Sequence, residues 1–200
     1  MTRDINSMTK DRVVRIEAPI SRDALISLKV GQEVLISGSI YTARDAAHKR
    51  LFDAIESKKR LPIDLKDQVI YYTGPTPSRP GHSGYIGAAG PTSSYRMDPY
   101  TSILFEQGLG AVIGKGPRST EVIEAIIKNK GVYFIAIGGL GALISKHIKK
   151  AEVVAYEDLE TEAIWRFYVD DFPVIVANDI LGDDIYKHPW PIGHNEKRKS

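Results

Sequence analysis

Residues 111–137, AVIGKGPRSTEVIEAIIKNKGVYFIAI, contain two short apolar runs separated by a helical segment. The runs at 111–114 and 132–137 predict strands, and Ser119 makes a good start for a helix over about 119–129. A strand, a helix and a strand in this order are typical of a βαβ unit, whose two strands run parallel within one sheet. This stretch therefore indicates an α/β fold with a partly parallel sheet.

Similar elements continue in both directions along the chain. Alternating or β-branched runs predict further strands, at 12–18, 33–41, 68–73, 152–155, 164–169 and 173–177. Further helices are predicted at 21–28, 43–58, 101–107 and 141–149. There is no internal repeat and no linker composition. We therefore predict one α/β domain over residues 1–187, with a mixed sheet and flanking helices, and a polar basic tail over residues 188–200.

The clearest of these helices is the one at 43–58. Its apolar residues repeat every four positions on one face, at Ala47, Leu51 and Ile55. Thr42 is the predicted N-cap, and Asp45 completes an acidic variant of the capping box. His48 and Lys49, one turn further on, look like ordinary helix residues.

Composition excludes several functional classes. The 200 residues are 42% apolar and carry 27 Lys and Arg against 25 Asp and Glu, which gives a net charge of +2. A nucleic-acid binder normally has a larger positive excess, and the clearest basic run is only Lys197–Lys199. The longest uncharged stretch, Gly131–Ser145, is too short to cross a bilayer, and Met1–Arg12 does not resemble a signal peptide. We expect a cytoplasmic protein that binds neither membranes nor nucleic acid.

The absence of cysteine is equally restrictive. It excludes a disulfide scaffold, a thiolate zinc site, a cysteine nucleophile and an iron–sulfur cluster bound by this chain alone. Five histidines are present without a metal-binding spacing, at positions 48, 82, 147, 188 and 194. We therefore predict no metal site within the chain.

The segment 74–99 differs from the rest because it is rich in glycine, proline and hydroxyl groups. Loops of this length inside a compact domain are usually functional or disordered. Within it, residues 87–94 (GAAGPTSS) allow close approach of the backbone and present Thr92 and two serines. The backbone N–H groups of such a turn, just before a helix, favour anion binding. Arg96 lies two residues beyond this run and is suited to bind a carboxylate. A surface turn with a solvated arginine is the alternative interpretation.

Two further cations are candidates for binding an anion. Arg44 falls in the first turn of a helix, where the helix dipole disfavours a cation unless a carboxylate ligand is bound. Taken alone, the residues favour the simpler interpretation that Arg44 pairs with Asp45 or another acid. Lys115 lies between two glycines at the carboxyl end of a predicted strand, where α/β folds collect ligands. An ordinary strand-exit turn explains Lys115 equally well.

Other suggestive residues carry less weight. Residues 137–142 (IGGLGA) resemble a dinucleotide fingerprint, but the third glycine position is Ile144, so tight packing explains them better. His82 is interpreted as a solvated loop histidine, and Asp98 as a turn or helix cap. The acidic residues near the C-terminus are interpreted as turn residues and surface charge: Asp170, Asp171, Asp179, Asp183 and Asp184.

Taken together, the motifs resemble the β subunit, equivalently the C-terminal domain, of the class I iron–sulfur-dependent fumarase and L-tartrate dehydratase family. The matching segments are 42–50 (TARDAAHKR), 74–77 (GPTP), 86–93 (IGAAGPTS), 96–98 (RMD), 113–116 (IGKG) and 169–173 (VDDFP). They cover roughly residues 12–187 in the family's order. Two departures are mild: Ser93 stands where many relatives have a second threonine, and Pro117 stands where others have a small residue.

The resemblance implies a swivelling β/β/α domain in an enzyme that reversibly hydrates a C4 dicarboxylate. It implies fumarate and (S)-malate as the first choice of substrates, and tartrate dehydration as the alternative. A cysteine-bearing α subunit would supply the [4Fe–4S] cluster, in a hetero-oligomer such as α2β2. By motif match, Arg44, Thr92, Ser93, Arg96 and Lys115 would bind substrate, and Thr92, Arg96 and Lys115 would be catalytic, with Thr92 at the base end of the proton transfer.

Two non-enzymatic hypotheses remain beside the hydro-lyase subunit. The anion-friendly loop would also suit a module that binds carboxylates or phosphates without a partner. Alternatively, the loop would only pack against another chain in a structural subunit. Because a composite active site must lie between two chains, the loop face is the expected docking surface in the enzyme hypothesis.

Overall fold

The computed structural model describes residues 13–76, 86–136 and 141–187. Within these ranges seven strands form one sheet: β1 (Val14–Ala18), β2 (Glu33–Thr42), β3 (Val69–Tyr71), β4 (Ala111–Gly114), β5 (Val132–Ala136), β6 (Ile148–Ala155) and β7 (Ile164–Asn178). The helices are α1 (Arg22–Ser27), α2 (Asp45–Glu56), α3 (Asp98–Glu106), α4 (Thr120–Asn129) and α5 (Gly141–Ile144). The predicted mixed α/β architecture is confirmed.

The sheet has a parallel part and an antiparallel part. Strands β1 to β5 pair in parallel in chain order, whereas β7 runs antiparallel to β2, β5 and β6. Since β7 pairs with both β2 and β5, the pairings run from β2 through β3, β4, β5 and β7 back to β2. The strands therefore enclose one apolar core, with β1 and β6 added outside the ring.

Side chains alternate between two cores along these strands, as the period of a pleated strand requires. In β5, Val132 and Phe134 belong to the core enclosed by strands, whereas Tyr133 belongs to the core beneath the helices. In β4, Ala111 and Ile113 point to the enclosed core and Val112 to the helical side. Helices α2, α3 and α4 cover that second side, so the parallel strands are buried on both faces.

Two predicted elements differ from the structure at the C-terminal end. The helix expected over 141–149 is short: α5 ends at Ile144, a 3-10 turn follows at Ser145–His147, and β6 begins at Ile148. The strands predicted at 164–169 and 173–177 are one strand, β7. The polar residues between them looked like a turn, but they form a bulge within the strand.

That bulge lies opposite Ser37 of β2, directly before Gly38. Ile36 pairs with Phe172 and Gly38 with Val169, so two residues of β7 face one residue of β2. Gly38 has a φ of 100°, and a Cβ atom built on it would lie 2.3 Å from the carbonyl oxygen of Ala18 in β1. Only glycine fits here, because β1 approaches too closely for any side chain.

None of the described helices is long and apolar enough to cross a bilayer. Several predictions fall outside the described residues: the IGGL part of the fingerprint-like segment, the tail at 188–200, and the histidines at 82, 188 and 194.

We predict that Gly38→Ala destabilises the fold far more than Gly31→Ala. Gly31 also has a positive φ, of 85°, but a Cβ atom there would meet nothing within 4 Å. Gly31→Ala should therefore cost only the strain of a left-handed backbone, about 1–2 kcal/mol. Gly38→Ala adds the contact with Ala18 and should cost at least ~2 kcal/mol more. Denaturant unfolding measures both, and equal costs would contradict the close approach of β1.

Candidate active site

The carboxyl ends of β3 and β4 are crossed by the segment 89–94. The Tyr71 hydroxyl donates to the Ala89 carbonyl oxygen at 2.6 Å, and the Thr73 hydroxyl donates to the Gly90 carbonyl oxygen at 2.8 Å. Two residues after Gly90, the Thr92 backbone N–H donates to the Tyr72 carbonyl oxygen at 2.7 Å. Bonds to backbone and to buried hydroxyls therefore fix the segment at the edge where parallel strands place ligands.

Ser94 anchors the other side of this segment. Its backbone N–H donates to the Lys115 carbonyl oxygen at 2.9 Å, and its hydroxyl accepts from the Lys115 N–H at 3.0 Å. The same hydroxyl lies 2.9 Å from the Tyr133 hydroxyl, which itself donates to the Gly116 carbonyl oxygen. Gly114 is required here, because a Cβ on it would lie 2.0 Å from the Ser94 hydroxyl. Lys115 consequently emerges beside Ser93.

Arg44 and Arg96 meet at a single carboxylate. The Nε atom of Arg96 lies 2.8 Å from one oxygen of Asp45, and the Nε atom of Arg44 lies 3.2 Å from the other. Arg44 also lies 3.4 Å from Glu162 through a terminal nitrogen. The side chains of both arginines are partly exposed, 26% for Arg44 and 42% for Arg96. Two guanidinium groups are thus held side by side at the surface.

Arg44 lies where β2 passes into α2, but the cap differs from the prediction. Thr42 is the last residue of β2, and its hydroxyl accepts from the Trp165 N–H rather than capping the helix. Arg44 is the N-cap and its side chain makes no capping bond. Instead Glu162 accepts from the N–H of Ala46 at 3.0 Å. The predicted capping box is therefore wrong, because Glu162, an acid distant in sequence, accepts the hydrogen bond from the first turn of the helix.

The backbone makes room for the Arg44 side chain. A Cβ atom on Gly74, just after β3, would lie 3.1 Å from Cδ of Arg44 and 2.9 Å from the Thr161 carbonyl oxygen. The side chain of Arg44 therefore lies against the chain leaving β3. This contact places the arginine beside the edge that Thr92 crosses.

The structure brings the five predicted site residues to one edge of the sheet. Thr92, Ser93 and Arg96 follow one another in the crossing segment, Lys115 pairs with Ser93 as an isolated parallel bridge, and Arg44 joins Arg96 through Asp45. The alternative that Arg44 pairs with acids also holds, since Asp45 and Glu162 both contact it. Lys115 is exposed, and within the described ranges its ammonium group makes no ion pair. The guanidinium pair and Lys115 thus lie at the same edge without direct contact.

A buried ion pair beneath the site was missed from the sequence. The side chain of Arg118 is fully buried, and its Nε lies 2.8 Å from Asp98, whose other oxygen accepts from the Ser119 N–H. Its terminal nitrogens donate to the hydroxyls of Tyr72 and Thr101. Its guanidinium carbon lies 5.2 Å from the ring centre of Tyr72 and 5.0 Å from that of Tyr133.

The ionisation of Arg118 follows from these contacts. Burial acts to lower its pKa, but Tyr72, Asp98 and Tyr133 outweigh burial and raise the pKa above its ordinary value. A signal for this cluster was present in the sequence. Tyr72 and Tyr133 lie at or beside the apolar strand runs 69–71 and 132–136, and a buried phenol needs a polar partner.

His48 is not an ordinary helix residue. Its ring is fully buried, packs edge-on against Tyr72 at 5.0 Å between centres, and has Nδ1 3.2 Å from the Arg44 carbonyl oxygen. Burial lowers the pKa of His48 from 6.5 to about 4, with Arg118 acting in the same direction. The neutral ring supports the backbone of the residue that carries the first guanidinium group.

Two of the acidic residues near the C-terminus are also buried, which corrects their interpretation as surface charge. Asp179 is fully buried and accepts from the backbone N–H groups of Val30, Leu181 and Asp183. Asp184 is almost fully buried and accepts from the Tyr186 N–H. They are turn residues, as expected, but these turns are buried.

In the described part of the chain, no group of three or more His, Asp or Glu side chains is placed to hold a metal ion. The full sequence contains no cysteine. An iron–sulfur cluster requires thiolate ligands, so the donor set of this chain does not fit one.

The family model described as Fumarase C-terminus matches residues 2–189. The chain is 36% identical over 179 residues to a putative class I fumarate hydratase of Geobacillus stearothermophilus, covering 88% of this chain and 34% of the relative. It is 38% identical over 160 residues to the anaerobic class I fumarate hydratase of Escherichia coli, covering 79% and 29%. The chain thus spans about a third of these relatives.

A third relative has a similar length. The chain is 36% identical over 164 residues to a putative L(+)-tartrate dehydratase subunit beta of Methanocaldococcus jannaschii, covering 80% of this chain and 84% of the relative. The similarity therefore extends to a protein of which the matched region makes up most of the length.

We predict that Asp98→Asn destabilises the fold by about 3–5 kcal/mol, because it leaves the buried Arg118 cation without its counter-charge. Glu106→Gln is the matched control. Glu106, the last residue of α3, pairs with Lys128 of α4 at 2.8 Å, but both side chains are exposed. The control should change the free energy of unfolding by less than ~1 kcal/mol. Urea unfolding at pH 7 measures both variants, and equal losses would contradict the burial of the pair.

We also predict a stability loss in acid that depends on His48. Between pH 6.5 and about pH 4 the unfolded chain binds a proton that the folded chain does not, so the free energy of unfolding falls as the pH falls through this window. The shift corresponds to about 3 kcal/mol. His48→Asn should flatten this part of the unfolding profile, whereas the partly exposed His147→Asn should leave it unchanged. An unaltered profile in His48→Asn would contradict the assignment.

Proposed function

The chain belongs to the fumarase C-terminus family, and from this premise we propose that it is the β-subunit part of a hydro-lyase that interconverts fumarate plus water and (S)-malate. The observation that carries the proposal is the gathering of Arg44, Thr92, Ser93, Arg96 and Lys115 at one edge of the sheet. These are the residues that the family resemblance assigns to substrate.

The cations suit a dicarboxylate. A guanidinium group binds a carboxylate through two parallel N–H bonds, and two such groups beside each other form a strong anion site. Arg44 and Arg96 take the first carboxylate in this proposal, and Lys115 contacts the second as a point charge. Ser93 donates its hydroxyl to the same ligand from between them.

The chemistry requires a proton to move at carbon. In the dehydration of malate, the C3–H bond breaks and its electron pair forms the C2=C3 double bond. The C2–O bond breaks to release hydroxide, which combines with one proton to leave as water. Thr92 accepts the C3 proton in this proposal as its alkoxide, and Arg96 and Lys115 lower the pKa of its hydroxyl so that the alkoxide can form. Arg96, together with Arg44, stabilises the negative charge that develops on the first carboxylate, which neighbours C3. The bond from the Thr92 N–H to Tyr72 supports this role because it fixes the residue's backbone.

The hydroxyl must leave with help from a Lewis acid. We propose that a [4Fe–4S] cluster supplies this help and belongs to a cysteine-bearing α subunit, since this chain offers no thiolate ligand. The two chains would form a hetero-oligomer such as α2β2, with the partner docking over the strand edge that carries Arg96 and Lys115. A relative named as a subunit beta supports the two-chain arrangement.

Tartrate is the second candidate substrate, and the same relative favours it. A tartrate dehydratase would use the same cations for the two carboxylates and would differ in the groups that contact the second hydroxyl. We also propose the swivelling β/β/α type for the domain, which the two cores on opposite faces of the parallel strands support. A cytoplasmic location completes the proposal.

Reconstitution tests the proposal directly. The chain is produced with and without a partner bearing three suitably spaced cysteines, under anaerobic conditions, and assayed with fumarate and with L(+)-tartrate side by side. We expect no turnover from the chain alone and turnover of one substrate from the pair. Full dehydratase activity from this chain alone and without iron would reject the proposal, and anion binding without turnover in the pair would favour the non-enzymatic module.

We predict that Arg96→Ala lowers kcat/KM of the reconstituted enzyme by ~100-fold or more, because it removes a charged contact to the carboxylate that gains charge during the reaction. Arg15→Ala is the control, since Arg15 pairs with Asp171 on an exposed part of the fold. The two subunits should still co-elute in gel filtration for both variants. Unchanged turnover in Arg96→Ala with intact assembly would instead favour the purely structural subunit.

A further inference from the structure

Asp45 occupies an unusual place for an acid, because it lies within a site that we assign to an anionic substrate. One of its oxygens lies 2.8 Å from Nε of Arg96 and the other 3.2 Å from Nε of Arg44. The carboxylate is only partly exposed. As the first residue of α2, it also lies where the helix dipole favours a negative charge.

The shared carboxylate of Asp45 changes both the charge repulsion between the two arginines and the freedom of their side chains. Two guanidinium groups repel each other when nothing lies between them, and long side chains at a surface lose considerable freedom on binding a ligand. A carboxylate between them offsets the repulsion and fixes both side chains before the ligand arrives. Arg44 is further fixed by Glu162 and by its contact with Gly74.

We propose that Asp45 is a positioning residue, whose carboxylate holds Arg44 and Arg96 as a preorganised pair for the substrate carboxylate. This inference rests on the proposed function, and it goes further because it assigns a role to an acid that neither binds the substrate nor transfers the proton. Asp45 acts on the substrate only through the two arginines.

The alternative role for Asp45, that it blocks the arginines, predicts the opposite change in substrate binding. If Asp45 merely occupied the arginines in the empty site, the substrate would have to displace it, and removing its charge would strengthen substrate binding. If it positions the arginines, removing its charge weakens binding, since the ordering of two long side chains then falls on the binding step. The sign of the change in KM therefore separates the two roles.

The experiment uses Asp45→Asn in the reconstituted two-subunit enzyme. We expect KM to rise about tenfold with kcat changed less than about threefold, because two side chains must be ordered on binding. Asp53→Asn is the matched control: it lies on the same helix and pairs with Lys49 at 2.7 Å, but both side chains are exposed. The control should leave kcat and KM unchanged. A KM that stays the same or falls in Asp45→Asn, or a loss of kcat without a rise in KM, overturns the proposal.

A double-mutant cycle tests whether Asp45 acts through arginine. In an Arg96→Lys background, which keeps the charge but loses Nε, Asp45→Asn should raise KM by a smaller factor than in the wild-type enzyme. Equal factors in the two backgrounds overturn the proposal. A loss confined to folding is recognised by comparing the unfolding midpoints of Asp45→Asn and Asp53→Asn.

A second measurement does not depend on activity. Arginine side-chain Nε–H groups give separate signals in ¹H–¹⁵N spectra of the full chain, and those of Arg44 and Arg96 should be protected from solvent exchange in the wild type. Asp45→Asn should raise their exchange rates at least about tenfold, and Asp53→Asn should not. Unchanged exchange overturns the positioning role. If the reconstituted wild-type subunits showed no hydro-lyase activity, only the proposed function would be rejected. The exchange data would still decide the role of Asp45.

Discussion

The buried guanidinium group of Arg118 fixes the frame on which the candidate site is built. An uncompensated cation with a fully buried side chain would be strongly destabilising, so its partners must stay in place. Those partners are Asp98 at the start of α3 and the hydroxyls of Tyr72 and Thr101. Because Arg118 follows β4 and Asp98 follows the crossing segment, one ion pair sets the distance between the loop carrying Lys115 and the turn carrying Arg96.

The charges of Arg44 and Arg96 are balanced in a different way from that of Arg118. Arg118 is sealed from water by aromatic rings, whereas Arg44 and Arg96 stay partly exposed and share a carboxylate. Buried pairs give rigidity but cannot exchange partners, while partly exposed pairs can accept a new anion at low cost. The site thus combines a rigid buried ion pair beneath it with an accessible pair of guanidinium groups. This is the arrangement that preorganised binding of a carboxylate requires.

Local patterns predicted most of the strands and helices and the edge where the site residues lie. The apolar runs of β4 and β5 and the helix between them follow from periodicity alone, and Lys115 follows from its place after a strand. The contacts that give these residues their environment join distant parts of the chain. Glu162 caps α2 from 116 residues away, and Arg118 reaches Tyr72 across 46 residues. No local pattern predicts such pairs. The same limitation made β7 look like two strands, because its bulge faces Ser37, which lies far away in sequence.

The opposite end of the sheet shows why the site lies where it does. At the amino ends of β3, β4 and β5, a single side chain, Arg22, closes the edge. It donates to the carbonyl oxygens of Gly108 at 2.7 Å and Asn129 at 2.9 Å, and it pairs with Asp67. Backbone acceptors at that end are therefore occupied by the fold itself. At the carboxyl ends the fold instead presents Thr92, Ser93 and Lys115 at the same edge as the partly exposed pair of arginines. Among the described residues, the arginine at one end of the strands is engaged by the fold, whereas Arg44, Arg96 and Lys115 at the other end remain accessible to a ligand. This difference supports placing the proposed chemistry at the carboxyl ends.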